Sequence, residues 1–233
     1  MALTLHAQDS VTALDAELAT WVAGELAQGI AQRGRASLVV SGGRTPLGLF
    51  RLLRDKPLDW SRVTITLADE RWVDNTHADS NEKLVRENLL VGGAAAATFI
   101  PLKFDAADPV AGAARASEAM RAVPDAFDVV ILGMGEDGHT ASLFPDSPQL
   151  AAGLLDATGE ACLATENATK APRWRITLTA PRLARARNIA LHVTGAQKWQ
   201  LLGEALAGQD AFRFPIRFAF NQSEVSSHVF WCR

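Results

Sequence analysis

Apolar residues recur along the chain in two rhythms. Between Val11 and Gln32 they return at helical spacing (Val11, Leu14, Leu18, Trp21, Val22, Leu26, Ile30). Ser10 stands in the N-cap position of that helix, and Gly34 is placed to stop it. Elsewhere the apolar residues come as short solid runs. "ASLVV" (Ala36 to Val40), "VTITLAD" (Val63 to Asp69), "FDVVILGMG", "WRITLTA", "IALHVTG" and "SSHVFWC" read as strands. Between them lie the helical segments "PLGLFRLLRD" opened by Pro46, "SNEKLVRENLL" capped by Ser80, "PVAGAARASEAMRAV", "PRLARARN" and "KWQLLGEALAG". Strands that alternate with helices and are apolar throughout predict an α/β fold, a mostly parallel sheet with helices on both faces. No repeat, low-complexity tract or linker divides the chain, so residues 1–233 read as a single α/β domain.

Composition narrows the class without changing that picture. The 233 residues are 48% hydrophobic, enough for a core without staples, and the formal net charge is -3. Near-neutral balance offers no general attraction for nucleic acid. The two cysteines, Cys162 and Cys232, make no disulfide framework and suit a reducing compartment. "MALTLHAQDS" lacks the basic and apolar regions of a signal peptide. The longest uncharged apolar run, Leu89 to Leu102, falls short of the roughly 20 residues of a membrane span. The expectation is a soluble, cytoplasmic protein with no nucleic-acid or membrane partner.

The polar chemistry collects after the strands. "SGGRT" follows "ASLVV", "DER" follows "TITLA", "GMGEDGH" follows "VVIL" and "TGAQK" follows "IALHV". In open α/β sheets ligands bind beyond the carboxyl ends of the strands, so four such loops predict one site built from distant segments. In "SGGRTP", Gly42 and Gly43 let successive amides turn inward as an anion nest, and Arg44 adds a donor. Thr45 and Pro46 read as the N-cap and N1 of the next helix. An ordinary βα turn with a capped helix accounts for the same residues equally well.

Gly133, Gly135 and Gly138 fit the G-x-G-x-x-G spacing of a dinucleotide turn. Such a turn should open a long helix, whereas Pro145 stops "HTASLF" within two turns. Asp156 lies near the distance expected of a ribose-binding acid, but no strand leads into it. Acid/base chemistry explains the loop better. His139 follows Asp137 by two residues on a glycine-rich turn, and imidazole titrates where a general base works. A lone histidine is more often structural, as His192 within "IALHV" and His228 within "SSHVF" illustrate. No grouping has metal-ligand spacing, and no G-x-S-x-G elbow marks a serine nucleophile, so hydrolysis here would use activated water.

"SGGRTP", "DERWV", "HADSN", "GMGEDGHTASLFP", "RITLT" and "GAQK", in this order and spacing, resemble the glucosamine-6-phosphate isomerase/6-phosphogluconolactonase family, on its lactonase side. The resemblance runs from about Val39 to Lys198. It implies a Rossmann-like, deaminase-type α/β fold. It also implies cofactor- and metal-free hydrolysis of 6-phospho-D-glucono-1,5-lactone, a small phosphorylated sugar lactone, in the oxidative pentose phosphate pathway. By the same resemblance His139 is the catalytic base with Asp137 beside it, and Arg71 and Asp69 belong to the active site. Ser41, Gly42, Gly43, Arg44 and Thr45 form the phosphate loop, and Arg175 and Lys198 clamp the phosphate. "APRWRITLT" leaves open whether Arg173 or Arg175 reaches it, and Arg44 stands where many relatives have a small residue. The expected assembly is a monomer or weak homodimer.

Two alternatives accompany this reading. One is a deaminase-like isomerase. Its loop ends in Asn-Glu-Pro with a ring-opening glutamate, where this chain has Phe144 before Pro145. The other is a non-catalytic sugar-phosphate sensor.

Overall fold

The computed structural model describes residues 3–155, 159–167, 169 and 171–233. In chain order the first half contains β1 (Leu3–Gln8), α1 (Val11–Arg33), β2 (Ala36–Val40), α2 (Leu47–Leu53), β3 (Val63–Leu67), β4 (Asp69–Arg71), α3 (Asn81–Asn88), β5 (Thr98–Ile100) and α4 (Pro109–Ala119). The second half contains β6 (Phe127–Leu132), α5 (Leu150–Leu154), β7 (Cys162–Glu166), β8 (Trp174–Leu178), α6 (Ala180–Ala184), β9 (Ala186–Thr194), α7 (Ala196–Ala207) and β10 (Ser226–Cys232).

Seven of these strands form one parallel sheet in the order β1-β10-β9-β6-β2-β3-β5. Every residue of β2 and β6 is buried. Alternate residues of a strand point to opposite faces, so both faces of the sheet are covered at its centre, as the solid apolar runs predict. The helix α1 packs against β1, β2, β6 and β10. Its ends follow the sequence signals: the Ser10 hydroxyl accepts the Ala13 amide at 3.2 Å, and Gly34 closes the helix at φ 75°.

A second sheet was not foreseen. The strands β4, β8 and β7 pair antiparallel, with Arg71 opposite Arg175 and Asp69 opposite Thr177. The segments "DER" and "RITLT" are therefore neighbouring strands, not a loop and a member of the parallel sheet. Ala68 is the junction: its amide donates to Val40 in the main sheet, and its carbonyl accepts from Leu178 in the small one. Other corrections are local. Pro46, not Thr45, precedes α2, and no side chain caps that helix. "PRLARARN" is helical only to Ala184, because Ala186 and Asn188 pair with Phe127 and Val129 in the sheet. The strand ladder overrides a helical pattern there. The segment before Asp156 is helical, α5, and Asp156 itself lies outside the described residues.

The helix α3 is held by a carboxylate from the neighbouring strand. Glu70, 1% exposed, accepts the amides of Arg71, Asn81 and Glu82 and the Ser80 hydroxyl. Burial pushes its pKa up against the pull of those four donors. Glu70→Ala strands buried donors at the α3 N-terminus, each costing roughly 1–3 kcal/mol. Chemical denaturation should show a loss of about 3 kcal/mol or more. A loss under about 1 kcal/mol, the size of an ordinary surface effect, would contradict this anchoring role.

Candidate active site

The sheet order reverses between β2 and β6: the chain builds outward through β3 and β5, then crosses back to β6 and continues through β9 and β10. The Ser41–Pro46 loop leaves β2 and the Gly133–Gly138 loop leaves β6, so both emerge at the switch point, where open α/β sheets form their ligand crevice. The Ser41 hydroxyl fastens the first loop to β6 through the Ile131 carbonyl at 3.0 Å. A cleft of about 370 Å³ opens here. Its walls include Ser41, Gly42, Gly43, Arg44, Thr45, Asp69, Arg71, His139, Arg175 and Lys198. Of the residues expected at the site, only Asp137 lies outside this lining.

The β6 loop is shaped around His139. Gly138 adopts φ 79°, and a side chain on Gly135 would collide with the His139 ring. Ala141, a non-glycine residue at φ 49°, turns the loop back toward the sheet at the edge of the cleft. Ser142 then anchors it twice, its hydroxyl donating to Asp69 at 2.6 Å and its amide to Thr177 at 3.2 Å.

His139 Nδ1 contacts Asp137 Oδ1, which also accepts the His139 amide at 3.1 Å. Facing a carboxylate, Nδ1 is the nitrogen suited to donate, which leaves Nε2 to accept a proton. Partial burial acts to raise the Asp137 pKa, but the hydrogen bonds and charge of His139 outweigh it and hold it at about 2. A depressed acid pKa contributes stability above its unfolded value, near 3.9, and that contribution is lost as pH falls through about 2. Asp137 is thus ionised across the neutral range. The Phe144 ring lies 4.6 Å from the His139 ring.

The small sheet supplies the opposite wall. Arg71 and Arg175 face each other across β4 and β8. Arg175 is 7% exposed, donates from Nε to the Pro172 carbonyl at 2.9 Å, and lies 6.0 Å from the Phe144 ring centre. Burial lowers its pKa most; Asp69 counters this, and the Arg71 charge lowers it further. Arg71 gives Nη1 to the Asp79 carbonyl at 2.5 Å, while its buried Nε has no partner. Like charges placed directly opposite destabilise a sheet, so the pairing makes sense where an anion will lie against it. Arg173 is turned away, bonded to Glu166 through Nε at 2.5 Å and absent from the cleft lining. Asp69 has both carboxylate oxygens engaged, by Ser142 and, at 3.4 Å, by Asn81.

Four cations, Arg44, Arg71, Arg175 and Lys198, therefore share the cleft with one carboxylate, Asp69, in a chain of net charge -3. That imbalance draws an anion to this place. Phe144 lines the cleft as well, and so do Asn167 and His192, which sequence reasoning missed. His192 is hidden by its position inside an apolar strand, where a histidine reads as core.

Fold and site together define an α/β protein with a His–Asp pair and a cation-rich cleft at the switch point of a parallel sheet. Residues 9–231 match the family model of glucosamine-6-phosphate isomerases/6-phosphogluconolactonase. A 6-phosphogluconolactonase of Pseudomonas putida is 45% identical over 231 residues, covering 99% of this chain and 93% of that one. A crystal structure of a 6-phosphogluconolactonase from Shewanella baltica, also 45% identical, superposes with a TM-score of 0.95 over 100% of this chain and 98% of the other. A monomeric glucosamine-6-phosphate deaminase shares the fold at a TM-score of 0.81 with 17% identity, covering 99% of this chain and 97% of the other. The chain belongs to the glucosamine-6-phosphate isomerase/6-phosphogluconolactonase family, and on the lactonase side of it.

Proposed function

We propose that this chain hydrolyses 6-phospho-D-glucono-1,5-lactone to 6-phospho-D-gluconate. Water attacks C1, and His139 Nε2 takes its proton while Asp137 holds the ring and balances the imidazolium charge. Arg71 faces the carbonyl oxygen as it becomes an oxyanion. When the intermediate collapses, the C1–ring oxygen bond breaks and His139 returns its proton to that oxygen. The new carboxylic acid then ionises, releasing one proton to solution. The Ser41–Thr45 loop, Lys198 and Arg175 hold the phosphate. Such remote binding orients C1 against the base. Asp69 and Ser142 act by fixing the β6 loop.

The observation that carries this reading is that His139, the Ser41–Thr45 loop and the two arginines line one cleft. Phe144 in place of a carboxylate favours the lactonase over the deaminase. The continuous buried cluster from Leu14 to Cys232 supports one domain over residues 1–233, and two unpaired buried cysteines suit a reducing cytoplasm.

The test is acid release from freshly made lactone, corrected for spontaneous hydrolysis. Acceleration that favours the phosphorylated lactone over gluconolactone is expected; binding without acceleration would indicate a sensor. Lys198→Ala should raise KM for the phosphorylated lactone by about tenfold or more and leave gluconolactone little changed. Equal losses on both substrates would contradict its role as a phosphate ligand.

A further inference from the structure

His192 is on β9, three residues before Gly195, and reaches the cleft that the Ser41–Pro46 loop and Lys198 also line. It is 3% exposed, and neither ring nitrogen makes a hydrogen bond. Behind it, Nε2 lies 3.2 Å from Oδ1 of Asp15 on α1, close enough for an ion pair but poorly aligned for a hydrogen bond. Asp15 is equally buried and is absent from the cleft lining. Its other oxygen presses against Gly48 in the first turn of α2, where any side chain would collide with it. Three elements, α1, α2 and β9, thus converge on a buried carboxylate directly behind the anion cradle. A carboxylate there, if left unpaired, would oppose a phosphate, and buried charges are weakly screened. The His192 imidazole touches both, lining the cleft on one side and contacting Asp15 on the other.

We propose that His192, backed by Asp15, is a positioning residue for the phosphate end of the substrate: its imidazole pairs with the Asp15 carboxylate and offsets that group beside the bound phosphate. The inference rests on the reading of Ser41–Thr45 and Lys198 as the phosphate site. It assigns the pair no part in the chemistry at C1, so its signature is confined to phosphate recognition.

The test compares KM for 6-phosphogluconolactone with KM for gluconolactone in wild type, His192→Phe, Asp15→Asn and the double variant, with thermal melts confirming folding. His192→Phe should raise KM for the phosphorylated lactone by about tenfold or more and leave that for gluconolactone within about twofold. Adding Asp15→Asn to it should recover most of the loss, because the opposing charge is gone; lost packing alone predicts no such rescue. A folded His192→Phe with unchanged KM, equal losses on both lactones, or a double variant no better than the single one would each overturn the proposal. Should His192→Phe not fold, His192→Gln enters the same comparison with the same outcomes. If wild type itself shows no preference for the phosphorylated lactone, the phosphate reading fails; if it does and the variants respond otherwise, this inference fails alone.

Discussion

His139→Ala is expected to lower kcat by about 100- to 10,000-fold with KM changed by no more than a few-fold. The imidazole of His139 lines the cleft and holds a carboxylate on one nitrogen. Its ring is fixed three ways, by Asp137, by the bare Gly135 backbone and by Phe144. Little adjustment is needed before it accepts a proton, so its loss removes transition-state help without removing binding. Because Asp137 is ionised far below neutrality, its hold on the ring does not lapse anywhere in the working range. Steady-state kinetics on fresh lactone provide the check, and a kcat within a few-fold of wild type would remove His139 from the mechanism.

Arg71→Ala is the second large effect. A buried guanidinium nitrogen without a partner is costly to maintain, and in Arg71 it sits in the cleft wall opposite a second arginine. The preorganised charge costs nothing further when the oxyanion forms. Removing one such donor typically lowers kcat by about 100- to 1,000-fold. The loss should be similar on phosphorylated and unphosphorylated lactones, since both develop charge on the same carbonyl oxygen. A rise in KM with kcat preserved would instead assign Arg71 to the sugar hydroxyls.

Much of this site can be read in the chain because its parts follow the strands that position them. The solid runs "ASLVV" and "FDVVIL" mark the two central strands, and the loops after them meet at the switch point. Harder to read were the pieces whose structure depends on partners distant in sequence. "DER" is a three-residue strand that exists only because β8 lies beside it, so no periodicity announces it. Arg187 and Asn188 look helical but lie in β9, where Asn188 pairs with both β6 and β10. The choice between Arg173 and Arg175 likewise depends on Glu166, a partner in another strand that captures Arg173. His192 reads as core because only tertiary structure places Asp15 on one side of it and the cleft on the other.

The central claim is that one six-carbon phosphosugar spans the cleft, phosphate at the Ser41–Thr45 loop and C1 at His139. A crystal structure with bound 6-phosphogluconate tests it most directly. The account predicts phosphate oxygens within hydrogen-bond reach of that loop and of Lys198, and the C1 carboxylate within reach of His139 Nε2 and Arg71. A product bound in the reverse direction, or outside this cleft, would contradict it.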